Sequence, residues 1–305
     1  MSKGILLVAN KKSGAQCENL IYSIRQSGCM LPIRLIHFGG REIESRYVLN
    51  EVEFMHFEDF SKEAQNFIAQ LRSVLTDCPL GYLYRYLGWF TDWDEFIYSD
   101  NDIVALMNWE KLFEYDIRFD LIHADEEYLT KGIFNYDKPE EIEHIFGKGS
   151  LETAITAGHI LVRKSDKMIA DIIAAIEWFR QYPYIPKKHD QALLHIASLL
   201  GNWHCLNLCK PPHLWLSSWA GDYKNSLALV QAIQNAESKI THLHYSGRSP
   251  NGSNAMDELL YSYLPEKKRV NKLYKALLNE VSGFNTIQSF YKRGKDYFER
   301  KFKHI

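Results

Sequence analysis

The run Gly4-Ile5-Leu6-Leu7-Val8-Ala9 has no polar side chain and stops at the turn-forming stretch Asn10–Gly14. An alternating strand can keep one face in water, but a continuously apolar one must be covered on both. The rest of the chain therefore has to supply layers above and below it. A helix is expected from the Asn10–Gly14 loop to Gln26, and Pro32–Phe38, with alternating apolar residues closed by Gly39-Gly40, reads as a second strand. Val52–Phe57 suits a third strand, and Ser61–Leu75 has the spacing of an amphipathic helix. Tyr82–Trp89 reads as helical, and Glu95–Tyr98 as a short buried strand ending at Asp100. Leu121–Ala124 and Ile155–Val162 continue the sheet on either side of a polar stretch, Lys131–Gly149, which reads as a mobile insertion. Helices are expected at Asp166–Gln181 and His189–Leu200, separated by the break Pro183–Pro186. Trp203–Asn207 is a strand candidate, Lys210–Asp222 an aromatic, proline-containing loop, and Lys239–His244 a return to the sheet before the Gly/Ser/Asn/Pro-rich loop Ser246–Asn254. This alternation predicts the α/β class: a Rossmann-like, mostly parallel sheet with helices on both faces.

Charge divides the chain. Of the net charge of −2, residues 266–305 carry +7, from eleven Lys/Arg against four Asp/Glu, which leaves −9 on residues 1–265. The expected organisation is an α/β domain over 1–265 and a basic, helical tail over 266–305. The tail mixes its cations with Leu273, Tyr274, Leu277, Phe290, Tyr297 and Phe302. Such a segment suits an anionic membrane surface. The acidic body and the lack of a nucleic-acid-binding motif argue against nucleic acid as a partner. Five cysteines at irregular spacing form no disulfide framework, and Asp171 and Glu177 interrupt the most apolar long stretch. The expected location is cytoplasmic, peripheral on the inner face of the plasma membrane.

Chemistry concentrates where apolar runs end in polar residues. Phe96-Ile97-Tyr98-Ser99 gives way to Asp100-Asn101-Asp102, two carboxylates two positions apart. At the carboxyl end of a sheet strand they would face the crevice where α/β proteins bind ligands. Two hard oxygen ligands there suit Mg²⁺ or Mn²⁺, with diphosphate oxygens completing the shell. The blander alternative is a surface turn. Arg85, fifteen residues earlier, offers a fork for a phosphate or a means of ordering the carboxylates, unless it is an ordinary surface arginine. His244 is a third candidate ligand, since neutral imidazole accepts Mn²⁺. Gly247 would allow close backbone approach to a phosphate, and Arg248 would neutralise its charge. His204, Cys205, Cys209 and His213 match no common zinc spacing. Trp215 and Trp219 could stack on an acceptor sugar or simply fill core.

These residues, in this order, resemble the GT-A glycosyltransferases, above all the retaining family eight, which includes bacterial lipooligosaccharide galactosyltransferases and glycogenin. Val8-Ala9-Asn10 matches the nucleotide-binding strand and loop, Arg85 the arginine before the D-x-D, and Asp100 and Asp102 the manganese-binding pair. Ile155-Thr156-Ala157-Gly158-His159-Ile160-Leu161-Val162 is similar to the strand that lines the donor sugar. Asp190-Gln191 matches a following Asp-Gln pair, and His244 and Gly247 match a late H-x-x-G-x-x-K. The sequence departs from the pattern at Thr156, where the family has Asn, and at Pro250, where it has Lys; Arg248 is a possible substitute.

The resemblance implies a nucleotide-diphosphate donor, with a UDP-sugar favoured, and nucleotide contacts from Ala9, Asn10, Arg85, Asp100, Asn101, Gly247 and Arg248. It places Asp190 at the donor-sugar hydroxyls, if it is not merely a helix cap, and Gln191 near the anomeric carbon. Retention would need no strong protein base; inversion would call on Asp125 or Asp190. The implied acceptor is a glycan or lipid-linked glycan in bacterial surface polysaccharide synthesis. Two rivals stand beside this reading. One is a sugar nucleotidyltransferase, for which Asn10-Lys11-Lys12-Ser13-Gly14 is a poor match to the expected glycine-rich loop. The other is a membrane-associated sugar-nucleotide-binding protein without activity.

Overall fold

A computed structural model of the chain describes residues 1–39, 43, 45–124, 135–220 and 239–246. Asp125, Gly247, Arg248 and the tail over 266–305 lie outside the described residues.

Among the described residues the main sheet has seven strands. They are β1 (Lys3–Ala9), β2 (Ile33–His37), β3 (Glu53–His56), β4 (Glu95–Ser99), β6 (Leu121–His123), β7 (His159–Arg163) and β8 (Cys205–Asn207). Their order is β3-β2-β1-β4-β7-β6-β8. In that sheet β7 alone runs against the rest, antiparallel to both β4 and β6. The expected mostly parallel α/β sheet is therefore what forms.

Strand alternation divides the core between the two faces. Leu6, Val8, Phe96 and Tyr98 join one cluster, while Ile5, Leu7, Ala9 and Ile97 join the other. Helix α1 (Gly14–Gln26) covers the second face with Cys17, Leu20, Ile21 and Ile24, the i, i+3, i+4, i+7 spacing of one helical stripe. On the first face, α3 (Lys62–Val74) uses the same spacing in Ala64, Phe67, Ile68 and Leu71, and Ser61 caps it by accepting from the Ala64 N–H. Two further helices pack there: α6 (Asp166–Gln181), through Ile172, Ile176 and Phe179, and α7 (Asp190–Gly201), through Leu193, Ile196 and Ala197. The remaining helices are shorter: α2 (Arg46–Glu51), α4 (Leu80–Leu83) and α5 (Pro139–Phe146).

Three expectations need correction. The segment around Lys239–His244 does not return to the main sheet. Its strand β9 (His242–His244) pairs antiparallel with β5 (Ile103–Ala105), a strand the alternation pattern did not suggest. The described part of the polar stretch Lys131–Gly149 holds α5, whose Ile142 is fully buried in the core. Finally, β7 starts at His159 rather than Ile155; just before it, the Gly158 carbonyl accepts from the Asp100 N–H past the end of β4.

This topology creates the crevice. From β1 the chain crosses to β2 and β3 on one side, while β4 lies on the other. The β1/β4 boundary is thus a switch point, with Asn10 and Asp100 following the two strand ends.

Candidate active site

Asp100, Asp102 and His244 each bring one ligand atom to a point where all three lie within 4.8 Å of one another, and no other such group occurs among the described residues. Asp100 and Asp102 flank the turn between β4 and β5, and pairing of β5 with β9 brings His244 opposite Ile103. The unanticipated two-stranded sheet is therefore what delivers the third ligand. His244 Nε2 stands 3.3 Å from Asp102 Oδ1 and 3.9 Å from Asp100 Oδ2. Both carboxylates keep a window to solvent, with side chains 22% and 29% exposed. Two oxygens and an imidazole nitrogen, partly open, form a fitting donor set for Mn²⁺ or Mg²⁺.

Electrostatics separates the two carboxylates. Burial pushes Asp100 above the usual range, although Arg85 and His244 pull the other way. Burial also disfavours charge at Asp102, but the hydrogen bond and positive charge of His244 outweigh it and hold that carboxyl below the ordinary value. A divalent cation would favour the ionised form of both.

Gly158 lies against the cluster. A Cβ there would meet His244 Cε1 at 2.4 Å, His244 Nδ1 at 2.9 Å and Asp100 Oδ2 at 3.2 Å. Its carbonyl accepts from the Asp100 N–H at 2.7 Å.

Arg85 lies beneath the carboxylates. It is buried, and its guanidinium donates to the Ala157 and Tyr82 carbonyls and to Asp100 Oδ1. Asp190 Oδ2 sits 2.9 Å from Arg85 Nε, a close ion pair without hydrogen-bond alignment. Of the two roles offered by the sequence, the geometry suits ordering of the carboxylates; a buried, fully engaged guanidinium is not placed to fork a phosphate. Tyr98 also serves the cluster, donating its hydroxyl to Asp100 Oδ1 while its ring lies under Arg85. Sequence reasoning passed over Tyr98 because it reads as one more apolar position of β4.

Asp190 is fully buried. It is not the cap of α7, because His189 holds that position and accepts from the Gln191 N–H. Nor does it face a cleft where a sugar hydroxyl would bind. Gln191 is better placed: its side chain accepts from the Ala157 N–H, donates to Asn135 Oδ1, and lines a cleft of about 630 Å³ with Lys187 and His189. That cleft shares Pro79 with a second, of about 280 Å³, which the metal-competent triad lines.

The smaller cleft also takes in Val8, Asn10, Lys12, Ser13, Phe38 and Tyr82. Ala9 does not reach it. With a side-chain period of two, Val8 and Asn10 face the cleft while Ala9 is fully buried on the other face of the sheet. Asn10 Oδ1 accepts from the Lys12 and Ser13 N–H groups and so shapes the loop. Asn101 donates from Nδ2 to the Val8 carbonyl, tying the metal-competent turn to β1. Lys12, Phe38 and Tyr82 were not singled out from the sequence, because long-range folding alone brings them to one wall.

The alternative zinc group does not assemble. His204 is highly exposed beside Asp120, whereas Cys209 is buried against the Leu216 carbonyl. Trp215 packs against the core and Tyr115. Trp219 bridges to His244 and sends its indole N–H to the Ser246 carbonyl.

Comparison with known proteins bears on the fold. Residues 2–140 match the model of a family described as "Mannosyltransferase putative". No curated protein matches the chain by sequence. Among solved structures, the galactosyltransferase LgtC, in complex with donor and acceptor sugar analogs, is similar at 15% identity and a TM-score of 0.51, covering 88% of this chain and 99% of LgtC. The glycosyltransferase GlyE of Streptococcus pneumoniae TIGR4 is similar at 15% identity and a TM-score of 0.52, covering 90% of this chain and 64% of GlyE. For the bifunctional glycosyltransferase WbbM the values are 12% and 0.50, with 86% of this chain and 51% of WbbM covered. The chain thus spans nearly all of LgtC but about half of WbbM. At these identities the likeness establishes the fold, which is GT-A, and it bears out the resemblance to the glycosyltransferases of that type.

Proposed function

We propose that a chain with this fold is a metal-dependent glycosyltransferase. It would move a sugar from a nucleotide-diphosphate donor, with a UDP-sugar favoured, to a glycan or lipid-linked glycan acceptor of bacterial surface polysaccharide. The observation that carries the reading is the triad Asp100, Asp102 and His244, gathered at the sheet's switch point and open to a cleft. The family match to mannosyltransferases over residues 2–140 and the sugar-analog complex of LgtC support the class of reaction.

When bound, a divalent cation would supply Lewis-acid neutralisation of the donor diphosphate. The chain's own residues do the rest. Asp100, Asp102 and His244 hold the cation. Arg85 and Tyr98 fix Asp100 from below. Asn10, Lys12 and Ser13 form the wall nearest β1, where the nucleotide would lie. Gln191, pinned between Ala157 and Asn135, presents its amide to the larger neighbouring cleft, where sugar hydroxyls would bind. Retention is favoured over inversion. Asp190, buried against Arg85, is not placed to take a proton from an acceptor, and Asp125 is the remaining base candidate for inversion. The basic tail over 266–305 would hold the enzyme at an anionic membrane on the cytoplasmic side.

The test is turnover with a panel of nucleotide-sugars, with and without Mn²⁺. Asp102→Ala should lower transfer and hydrolysis of the accepted donor by at least about a hundredfold, on the scale of a lost electrostatic stabiliser. Turnover in that variant equal to wild type would refute the assignment.

A further inference from the structure

We infer that Gly158 is a positioning residue that sets the spacing of the metal-binding triad, and that the lack of a side chain there is what lets the His244 imidazole reach both carboxylates. The inference rests on the proposed metal role of the triad.

The glycine is not required by backbone conformation. Its φ lies outside the left-handed region, so an alanine could adopt the same backbone. What forbids a side chain is the ring opposite. A methyl group would sit 2.4 Å from His244 Cε1 and 2.9 Å from Nδ1, well inside van der Waals contact. The Nδ1–Cε1 edge thus faces Gly158, while Nε2 stands 3.3 Å from Asp102 Oδ1.

Neither side of the clash can yield freely. The Gly158 carbonyl is hydrogen-bonded to the Asp100 N–H at 2.7 Å, and the next residue, His159, is paired with Ser99. Backing away at Gly158 would therefore drag Asp100 along. On the other side, the His244 N–H donates to the Ser218 carbonyl at 2.8 Å, and β9 is paired with β5 next to Asp102. The neighbouring His242 ring is itself stacked on His159 with centroids 4.2 Å apart. An added methyl thus displaces either the imidazole or the Asp100 turn, and both belong to the triad.

Binding of Mn²⁺ to the full chain, read by electron paramagnetic resonance of the free ion, tests this without reference to turnover. Gly158→Ala should weaken Mn²⁺ affinity by roughly tenfold or more, the scale seen when supports of metal ligands are altered. In a His244→Ala background the ring is gone, so adding Gly158→Ala should change affinity and Tm little. This non-additivity is the signature of direct contact. If Gly158→Ala alone fails to fold, the double variant should still fold like His244→Ala. Wild-type Mn²⁺ affinity in Gly158→Ala, or equal losses in both backgrounds, would overturn the inference. No Mn²⁺ binding by the wild-type chain would instead overturn the proposed function on which it rests.

Discussion

Arg85 sits where an arginine rarely does, in the interior beside the site. Burial opposes its charge, yet Asp190 and Asp100 more than offset that and hold the guanidinium above its ordinary range. Asp190 is fully buried, with the guanidinium 2.9 Å away and the Tyr86 hydroxyl donating to its backbone carbonyl. A buried pair of this kind adds little net stability, but breaking it strands a charge. Asp190→Ala should therefore cost about 3–5 kcal/mol in urea unfolding. Pairing Asp190→Leu with Arg85→Met should cost clearly less than the two single changes together. Additive losses would show that the two charges are not coupled. The same residues show the limits of local reading. Asp190 was legible as a polar residue at a helix start, but which partner its carboxylate meets depends on a residue 105 positions away, in the turn that follows α4.

Among the elements, the short helical turn over Tyr84–Phe90 carries Arg85 and lies directly on the sheet. Gly88 permits the approach, because a Cβ there would meet the Phe96 ring at 2.4 Å and Leu6 Cδ2 at 3.1 Å. Phe96 is itself fully buried. Gly88→Ala should lift this turn from β4, destabilise the fold by about 1–3 kcal/mol, and weaken Mn²⁺ binding through Arg85. A variant of unchanged stability would refute the packing argument. The β5·β9 pair shows a different kind of dependence. Each strand has three residues; the sequence marked the β9 segment as a strand but neither β5 nor the pairing of the two. Burial of all six residues, together with the Ala105 N–H donating to Ser23 Oγ, holds the pair in place. Strands this short form only because the rest of the fold has already brought them together.

At the scale of the whole molecule, pH should report on buried histidines away from the triad. Burial pushes His123 down to about 3, with the Lys210 charge adding to the shift. Burial likewise lowers His195 to about 4, partly opposed by the Ser150 carbonyl. In the unfolded chain both return to the ordinary histidine value of 6.5. Between those limits the unfolded state binds more protons, so stability rises with pH and is lost as pH falls below 6.5. Each group contributes a slope of up to about 1.4 kcal/mol per pH unit. Urea unfolding from pH 7 to 4.5 should show this loss, and His195→Gln should flatten it; an unchanged slope in that variant would refute the assignment. Ligands should act on the whole fold as well. Mn²⁺ together with the accepted nucleotide-sugar should raise Tm with the logarithm of ligand excess, and the shift should vanish in Asp102→Ala.

The amino-acid sequence determined by itself the α/β class, the approximate place of all seven strands of the main sheet, to which it wrongly added Lys239–His244, and the acidic pair at the end of β4. Those features are local: an apolar run, a helical stripe and two carboxylates where a strand stops each carry their meaning within a few residues. It also offered His244 as a third ligand, through motif order. Tertiary structure alone decided that β9 reaches the site by pairing with β5, that Arg85 supports the carboxylates from inside, and that Asp190 is its counter-ion. It also decided that Ala9 faces away from the cleft while Gly158 makes room for an imidazole. Burial, ion pairing and steric exclusion depend on what lies opposite, and for these residues the opposite partner comes from a distant part of the chain.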